Sequence, residues 1–370
     1  MQEIISETAP QPISFEQQFV TKLEVVNAGV AAFAELLRND AKPHGPYVAA
    51  AMEGYTSILE SGGKRTRGVL TMTGYELFGG SPQDPAIARA AAIMEAEHAY
   101  LLVLDDVADA SDTRRGIPAA HRHVQHFLEQ NTNVPDGRKM GEDLAVITAS
   151  DAHCMAQVEL QRIEVPHPRA RDASILLNEG LSLTAKGQVL DISSPVRSDM
   201  TREELVKIAT YKTAFYSYLL PIKIGGVLAG ASIEEVDMFR DFALNAGLAF
   251  QMRDDIIGLF GDEALTGKPP KGDIIEGKKT ILYTTALEAT SGEAHRLLQD
   301  SLGNRQLPDR QFAQCLDIIE ASGAKAYAQE LIEDYAAQAV ASLHSLPGQW
   351  PPAQMAFLCE MALYGARRNK

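Results

Sequence analysis

Apolar positions recur along this chain at three- and four-residue intervals. The longest example is DPAIARAAAIMEAEHAYLLVLDDV, residues 84–107. Asp84 has the chemistry of an N-cap and Pro85 suits the first helical position. Ile87, Ala90, Met94, His98, Leu101 and Asp105 then fall on one face of a single long helix. TREEL (201–205) and SIEEV (232–236) each place a hydroxyl three residues before a glutamate, Glu204 and Glu235. That is the reciprocal cap of a helix start. No run of alternating Val, Ile and Thr is bounded by tight turns, so the pattern predicts an all-α chain with a single domain over 15–370. Breaks fall at 61–64, 79–85, 129–137, 165–172, 260–273 and 345–352, all readable as inter-helix loops. The polar residues 1–14 are expected to be disordered.

Composition narrows the partners. With 370 residues, 45% of them hydrophobic, the chain can bury a large core. A net charge of -15 argues against nucleic acid or an anionic membrane as the main partner, so any bound anion must meet a local basic pocket. The three cysteines, Cys154, Cys315 and Cys359, lack metal-ligand spacing and read as reduced core thiols. With no targeting pattern and no apolar run long enough to span a bilayer, a cytoplasmic protein is expected.

The helix of residues 84–107 runs into LLVLDDVADASDTRRG, residues 101–116. Asp105 and Asp109 stand at i and i+4, with Cβ atoms about 5–6 Å apart, and would repel. Mg²⁺ removes that repulsion, since it takes oxygen ligands from one or two carboxylates plus substrate phosphates. A solvated acidic helix end is the alternative. A second acidic pair, Asp254 and Asp255 in FQMRDDIIGLFGD, ends another apolar segment, with Gln251 one turn earlier. Two such ends facing each other would ring a cavity mouth with carboxylates above apolar walls. Basic residues are grouped to suit a diphosphate head: Lys64, Arg65 and Arg67; Arg114 and Arg115; Lys212; Lys268 and Lys278. Gly272 to Lys278 nearly matches a nucleotide-binding loop, but Lys279 replaces the required Ser or Thr and no strand precedes it. His121, His123 and His126 lack partners for a metal site and are assigned a polar surface or loop role.

Taken in order, GGKRTR, EHAYLLVLDDVADASDTRRG, AKGQVLD, YKTA, FQMRDDIIGLFGD and GKPPKGDIIEGKKT resemble the trans-isoprenyl diphosphate synthases, or polyprenyl synthetases, from about Gly62 to Thr280. The resemblance implies helices around a deep apolar cavity, a homodimer, and Mg²⁺-dependent condensation of an allylic diphosphate (dimethylallyl, geranyl or farnesyl) with isopentenyl diphosphate. It implies that Asp105, Asp109 and Asp254 hold Mg²⁺, three ions per site, with Asp106 and Asp255 supporting them. Arg114, Lys212, Lys268 and Lys278 would hold the allylic diphosphate. Lys64, Arg67, His98 and Arg115 would hold isopentenyl diphosphate, with Arg367, Arg368 and Lys370 closing over it. Thr213 and Gln251 match positions flanking the developing cation. Gly258 stands where the second motif commonly has its third aspartate, Gly68 replaces a common proline, Leu104 a histidine and Ser150 a glycine. The stretch 127–142 is slightly long for the family.

By the same resemblance, Tyr100, five residues before Asp105, floors the cavity, with Leu101 beside it. One aromatic without a second resembles geranylgeranyl diphosphate synthases, while the bulk of Leu101 keeps farnesyl or other product lengths open. Terpene cyclases need no second diphosphate pocket, and the basic set argues against one. A non-catalytic partner subunit typically loses acidic residues that this chain keeps.

Overall fold

The computed structural model describes residues 14–134, 136–197, 200–261 and 270–368. Ser14, placed in the disordered segment by the sequence, is instead the cap of α1 (Phe15–Ala41). Its hydroxyl accepts from the Gln17 amide, and the Gln17 side chain accepts from the Ser14 amide. The expected disorder of the residues before it lies outside the described residues. After α1 come α2 (Pro46–Glu60), α3 (Thr66–Leu77) and α4 (Pro85–Ala108). Asp84 caps α4 through the Ala86 amide, as its sequence predicts. Then follow α5 (Ala120–Asn131), α6 (Arg138–Gln161), α7 (His167–Ser193) and α8 (Arg202–Ala209). The last opens on the Thr201/Glu204 capping box.

Chain after α8 widens into a π-helix, Thr210–Leu219, before α9 (Leu220–Ala229), α10 (Ile233–Asp237) and α11 (Arg240–Phe260). The remainder is α12 (Gly272–Glu276), α13 (Ile281–Ala289), α14 (Gly292–Ser301), α15 (Asp309–Ala321), α16 (Ala324–His344) and α17 (Pro352–Arg367). The fold is all-α, and no described helix is long and apolar enough to cross a membrane.

Three local features differ from the sequence pattern. The predicted break at 165–172 is shorter, because α7 starts at His167 and takes Pro168 into its first turn, where the missing amide costs nothing. The Ser232 box caps only α10, one turn long, before the chain re-enters helix in α11. Two short strands, β1 (Thr113–Arg114) and β2 (Ile117–Pro118), pair antiparallel around Arg115 and Gly116. Both turn residues have positive φ, 53° and 78°, as a two-residue hairpin of right-handed twist requires. Arginine is not the Asn, Asp or Gly normally found there, so the turn was invisible to pattern reading.

One apolar core joins α1–α7, the π-helix, α9 and the first half of α11. A second wraps the other half of α11 with α13–α16. α16 and α17 contribute to both, as does α11, which presents its Asp254–Asp255 end from between two packed bodies. Of the cysteines, Cys315 is buried and Cys359 half-buried, but Cys154 is exposed on α6, so it is not a core thiol. His121 is buried in α5 and neither ring nitrogen has a hydrogen-bond partner, which corrects the surface role assigned to it.

Candidate active site

The last turn of α4 delivers the first acidic cluster, and its neighbours answer each carboxylate. Asp106 is fully buried and takes the Arg114 guanidinium edge-on, with Nε 2.9 and 3.1 Å from its two oxygens and Nη2 also donating. The same Nη2 donates to Asp105 Oδ2 at 3.2 Å. Asp105 Oδ1 accepts from Gln188 Nε2 at 2.9 Å and lies 3.5 Å from Lys212 Nζ. Asp109, the C-cap of α4, pairs with Lys278 at 2.8 Å, and Lys278 also meets Glu276 at 2.5 Å. Burial opposes the charge on Arg114, but Asp106 and Asp105 more than offset it and raise its pKa.

Lys212 is on the π-helix, whose wider turn re-aims side chains relative to an α-helix. It donates to Asp191 at 2.6 Å. The close approach depends on Gly187, where a Cβ would stand 2.6 Å from the Lys212 backbone nitrogen. The next residue turns to the second cluster. Thr213 donates to Gln251 Oε1 at 2.5 Å, and Gln251 Nε2 donates to Asp255 Oδ1 at 2.8 Å. Adjacent residues of one helix thus bridge the two acidic ends.

The second end carries less compensating charge. Burial, reinforced by Asp273, Asp254 and Asp191, pushes the Asp255 carboxyl up to about 8. Asp254, 40% exposed, is met by Arg368, whose guanidinium lies 3.7 Å from the Phe250 ring centre. The Arg368 carbonyl is in turn held by Arg253 Nε at 2.7 Å. The sequence expectation sent this basic tail over the isopentenyl pocket, whereas the structure seats Arg368 on Asp254. Gly258 permits the close approach of another acid, since a Cβ there would be 3.0 Å from Asp273 Oδ2.

A third group is cationic. Arg67 donates to Ser217 Oγ at 2.7 Å and sits 4.8 Å from the Tyr216 ring. Arg115 donates to the Gly62 carbonyl and to Ser61 Oγ at 3.4 Å. Burial first, then the like charge of Arg65, pushes Arg115 down to about 10. His98 is held neutral, pushed well below the usual histidine range by burial and by Arg67 and Arg115. Lys64 is on the loop entering α3, beside Arg65 at φ 49°. Among the described non-glycine residues, positive φ occurs at Arg65, Ala110 and Arg115, each bordering these clusters. Strain of that kind costs about 1–3 kcal/mol apiece and persists where surrounding structure enforces it.

Lys268 and Lys370 lie outside the described residues. Sequence reasoning missed Gln188, Asp191 and Asp273. The first two are in AKGQVLD, i and i+3 apart and so on one helix face, and Asp273 is in KGDIIEGKK. Tyr100 and Leu101 are half-buried against the main core below Asp105.

Comparison with known proteins places this arrangement. Residues 49–319 match the polyprenyl synthetase family model. The chain is 31% identical to a geranylgeranyl diphosphate synthase of Sulfolobus acidocaldarius, over 85% of this chain and 89% of that protein. It is 29% identical to a geranylfarnesyl diphosphate synthase of Aeropyrum pernix, over 78% and 86%. In structure it resembles the geranylgeranyl pyrophosphate synthase of Corynebacterium glutamicum complexed with isoprenyl diphosphate and magnesium. The TM-score there is 0.88 at 28% identity, covering 95% of this chain and 99% of that one. By motif order, all-α architecture and family match together, the chain belongs to the polyprenyl synthetase family.

Proposed function

We propose that this prenyltransferase elongates an allylic diphosphate with isopentenyl diphosphate, releases diphosphate, and makes geranylgeranyl diphosphate as its main product. The observation that carries this reading is the bridge of Lys212 and Thr213 between two acidic helix ends, beside a separate cluster of guanidinium groups. One diphosphate head fits between the ends, and the Arg67, Arg115, Lys64 and His98 group takes the other. A terpene cyclase has no use for that second group.

The carboxylates suit Mg²⁺. Their oxygens are hard donors, and the burial and neighbouring acids that push Asp255 upward are what a nearby divalent cation would offset. Asp105, Asp109 and Asp254 are the proposed ligands, for three ions. When bound, Mg²⁺ supplies Lewis acidity at the departing diphosphate.

Within this reading Lys212, Lys278, Arg114 and, beyond the described residues, Lys268 orient the allylic diphosphate and stabilise its charge as the C–O bond breaks. Thr213 and Gln251 present oxygen dipoles toward the allylic cation left behind. Arg67, Arg115 and Lys64 hold isopentenyl diphosphate so that its double bond attacks that cation. A proton then leaves to the released diphosphate. Neutral His98 lends a polar contact without adding positive charge beside a cation. An apolar cavity floored by Tyr100 would exclude water from the intermediate.

Exposed Ile147 and Val158 on α6 and Ile175, Val189 and Ile192 on α7 support a homodimer through this face. Sedimentation of the purified chain tests the dimer. Incubation with Mg²⁺, isopentenyl diphosphate and each allylic starter, followed by product mass determination, tests the activity. A C20 diphosphate is expected, and C15 or C25 would reassign the product length. No elongation with any starter would leave the non-catalytic subunit as the better reading.

A further inference from the structure

Below the first acidic cluster, α4 carries a buried charge that the proposed chemistry does not use. Glu97 is eight residues before Asp105 and fully buried. His153 Nδ1 lies 3.0 and 2.8 Å from its two carboxylate oxygens, and Gln157 Nε2 donates to it at 2.8 Å. Gln157 Oε1 in turn accepts from Asn178 Nδ2 at 2.9 Å, so the network ties α4 through α6 to α7. A carboxylate taken out of water must keep such partners, which fixes the geometry of whatever pairs with it.

His153 has a second contact. Its ring stacks on Tyr100, with centres 5.0 Å apart and planes 21° from parallel. Tyr100 is three residues after Glu97, on the same face of α4, so one imidazole spans both. Five residues at 1.5 Å each put Tyr100 about 7.5 Å below Asp105 along the helix axis. A phenol ring at that depth stops a growing chain only if it keeps one orientation, and here its orientation is set by a neighbour that a buried carboxylate holds.

We infer that the Glu97–His153 pair is the clamp that holds Tyr100 across the cavity floor, making His153 a positioning residue for product length. This rests on the functional reading above. His153 touches no reacting atom, and its influence passes through Tyr100.

The test compares products of the full-length protein by mass, with Mg²⁺, isopentenyl diphosphate and geranyl diphosphate. His153→Gln keeps a hydrogen-bond donor for Glu97 and removes the stack, and it is expected to lengthen the main product by at least one isoprene unit. His153→Ala removes both contacts and should lengthen it as much or more. The first condensation, followed as the initial rate, should stay within about twofold of wild type because the diphosphate sites are untouched. The double variant Tyr100→Ala/His153→Ala should give products no longer than Tyr100→Ala alone. A purely structural role would lower melting temperature without moving chain length. An unchanged distribution in folded His153→Gln overturns the clamp, as does a double variant whose products exceed those of Tyr100→Ala. Loss of the ring-current shift on the His153 imidazole in Tyr100→Ala reports the stack by NMR whether or not the chain turns over. Absence of any prenyl product from the wild type would instead defeat the functional reading, and product-length control with it.

Discussion

The end of α4 and the end of α11 each bring acidic groups to the same region, yet the first is matched more fully by the protein's own cations. Asp106 is sealed against Arg114, Asp105 shares Arg114, Lys212 and Gln188, and Asp109 has Lys278. At the other end Asp255 is raised by burial and then by its acidic neighbours, and Asp254 has Arg368 from the far end of the chain. The first end has its carboxylates partnered before any ligand arrives. The second is left in electrostatic debt that an incoming cation can relieve.

Four changes would break or sharpen that contrast. Asp106→Ala leaves Arg114 buried without its main partner, and a loss of about 3–5 kcal/mol in unfolding free energy is expected by denaturant titration. A loss below 1 kcal/mol would mean that the first end is not pre-sealed. Asp105→Ala should keep the fold, checked by circular dichroism, while elongation falls by about 10²–10³-fold. Near-normal turnover would remove its proposed metal role.

The third concerns pH. Asp255 in the folded chain holds a proton that the unfolded chain releases, across the window from its ordinary 3.8 to about 8. At this group the folded state therefore binds more protons, and the contribution of Asp255 to the stability of the ligand-free protein falls as pH rises through that window. His153 is raised chiefly by its hydrogen bond to Glu97, and its contribution is likewise present below 6.5 and lost above its folded pKa. The melting-temperature difference, wild type minus Asp255→Asn, should fall as pH rises across the range. A profile that Asp255→Asn leaves unchanged would contradict the assigned cause. The smallest effect is expected from Arg368→Ala, which removes a contact to a part-exposed carboxylate and the stack on Phe250 and should cost about 1–2 kcal/mol. A loss as large as that of Asp106→Ala would make the two ends equivalent.

Most of the helical framework could be read directly. Asp84–Pro85 and the Thr201/Glu204 box mark helix starts by backbone chemistry alone, and the structure keeps both. The hairpin at Arg115–Gly116 could not be read, because its first turn residue is one that sequence statistics disfavour and tertiary contacts enforce. The π-helix has no local signature either, since its hydrogen-bond shift follows from packing against α7 and α11. In the site, the aspartates and most of the cations were legible from type and spacing. Asp191 and Gln188 were not, because facing Lys212 and Asp105 is a property of how α7 crosses its neighbours. Glu97 and His153 are 56 residues apart, and nothing local to either announces the pair.

The π-helix also makes the catalytic face sensitive to length. Removing a single residue from Thr210–Leu219 would let the segment relax to ordinary winding, changing which of its own side chains face α7 and α11. Lys212 would keep Asp191 only if Thr213 or Ser217 gave up its own neighbour. Point substitutions there alter one contact, whereas an indel would scramble the phase of all three.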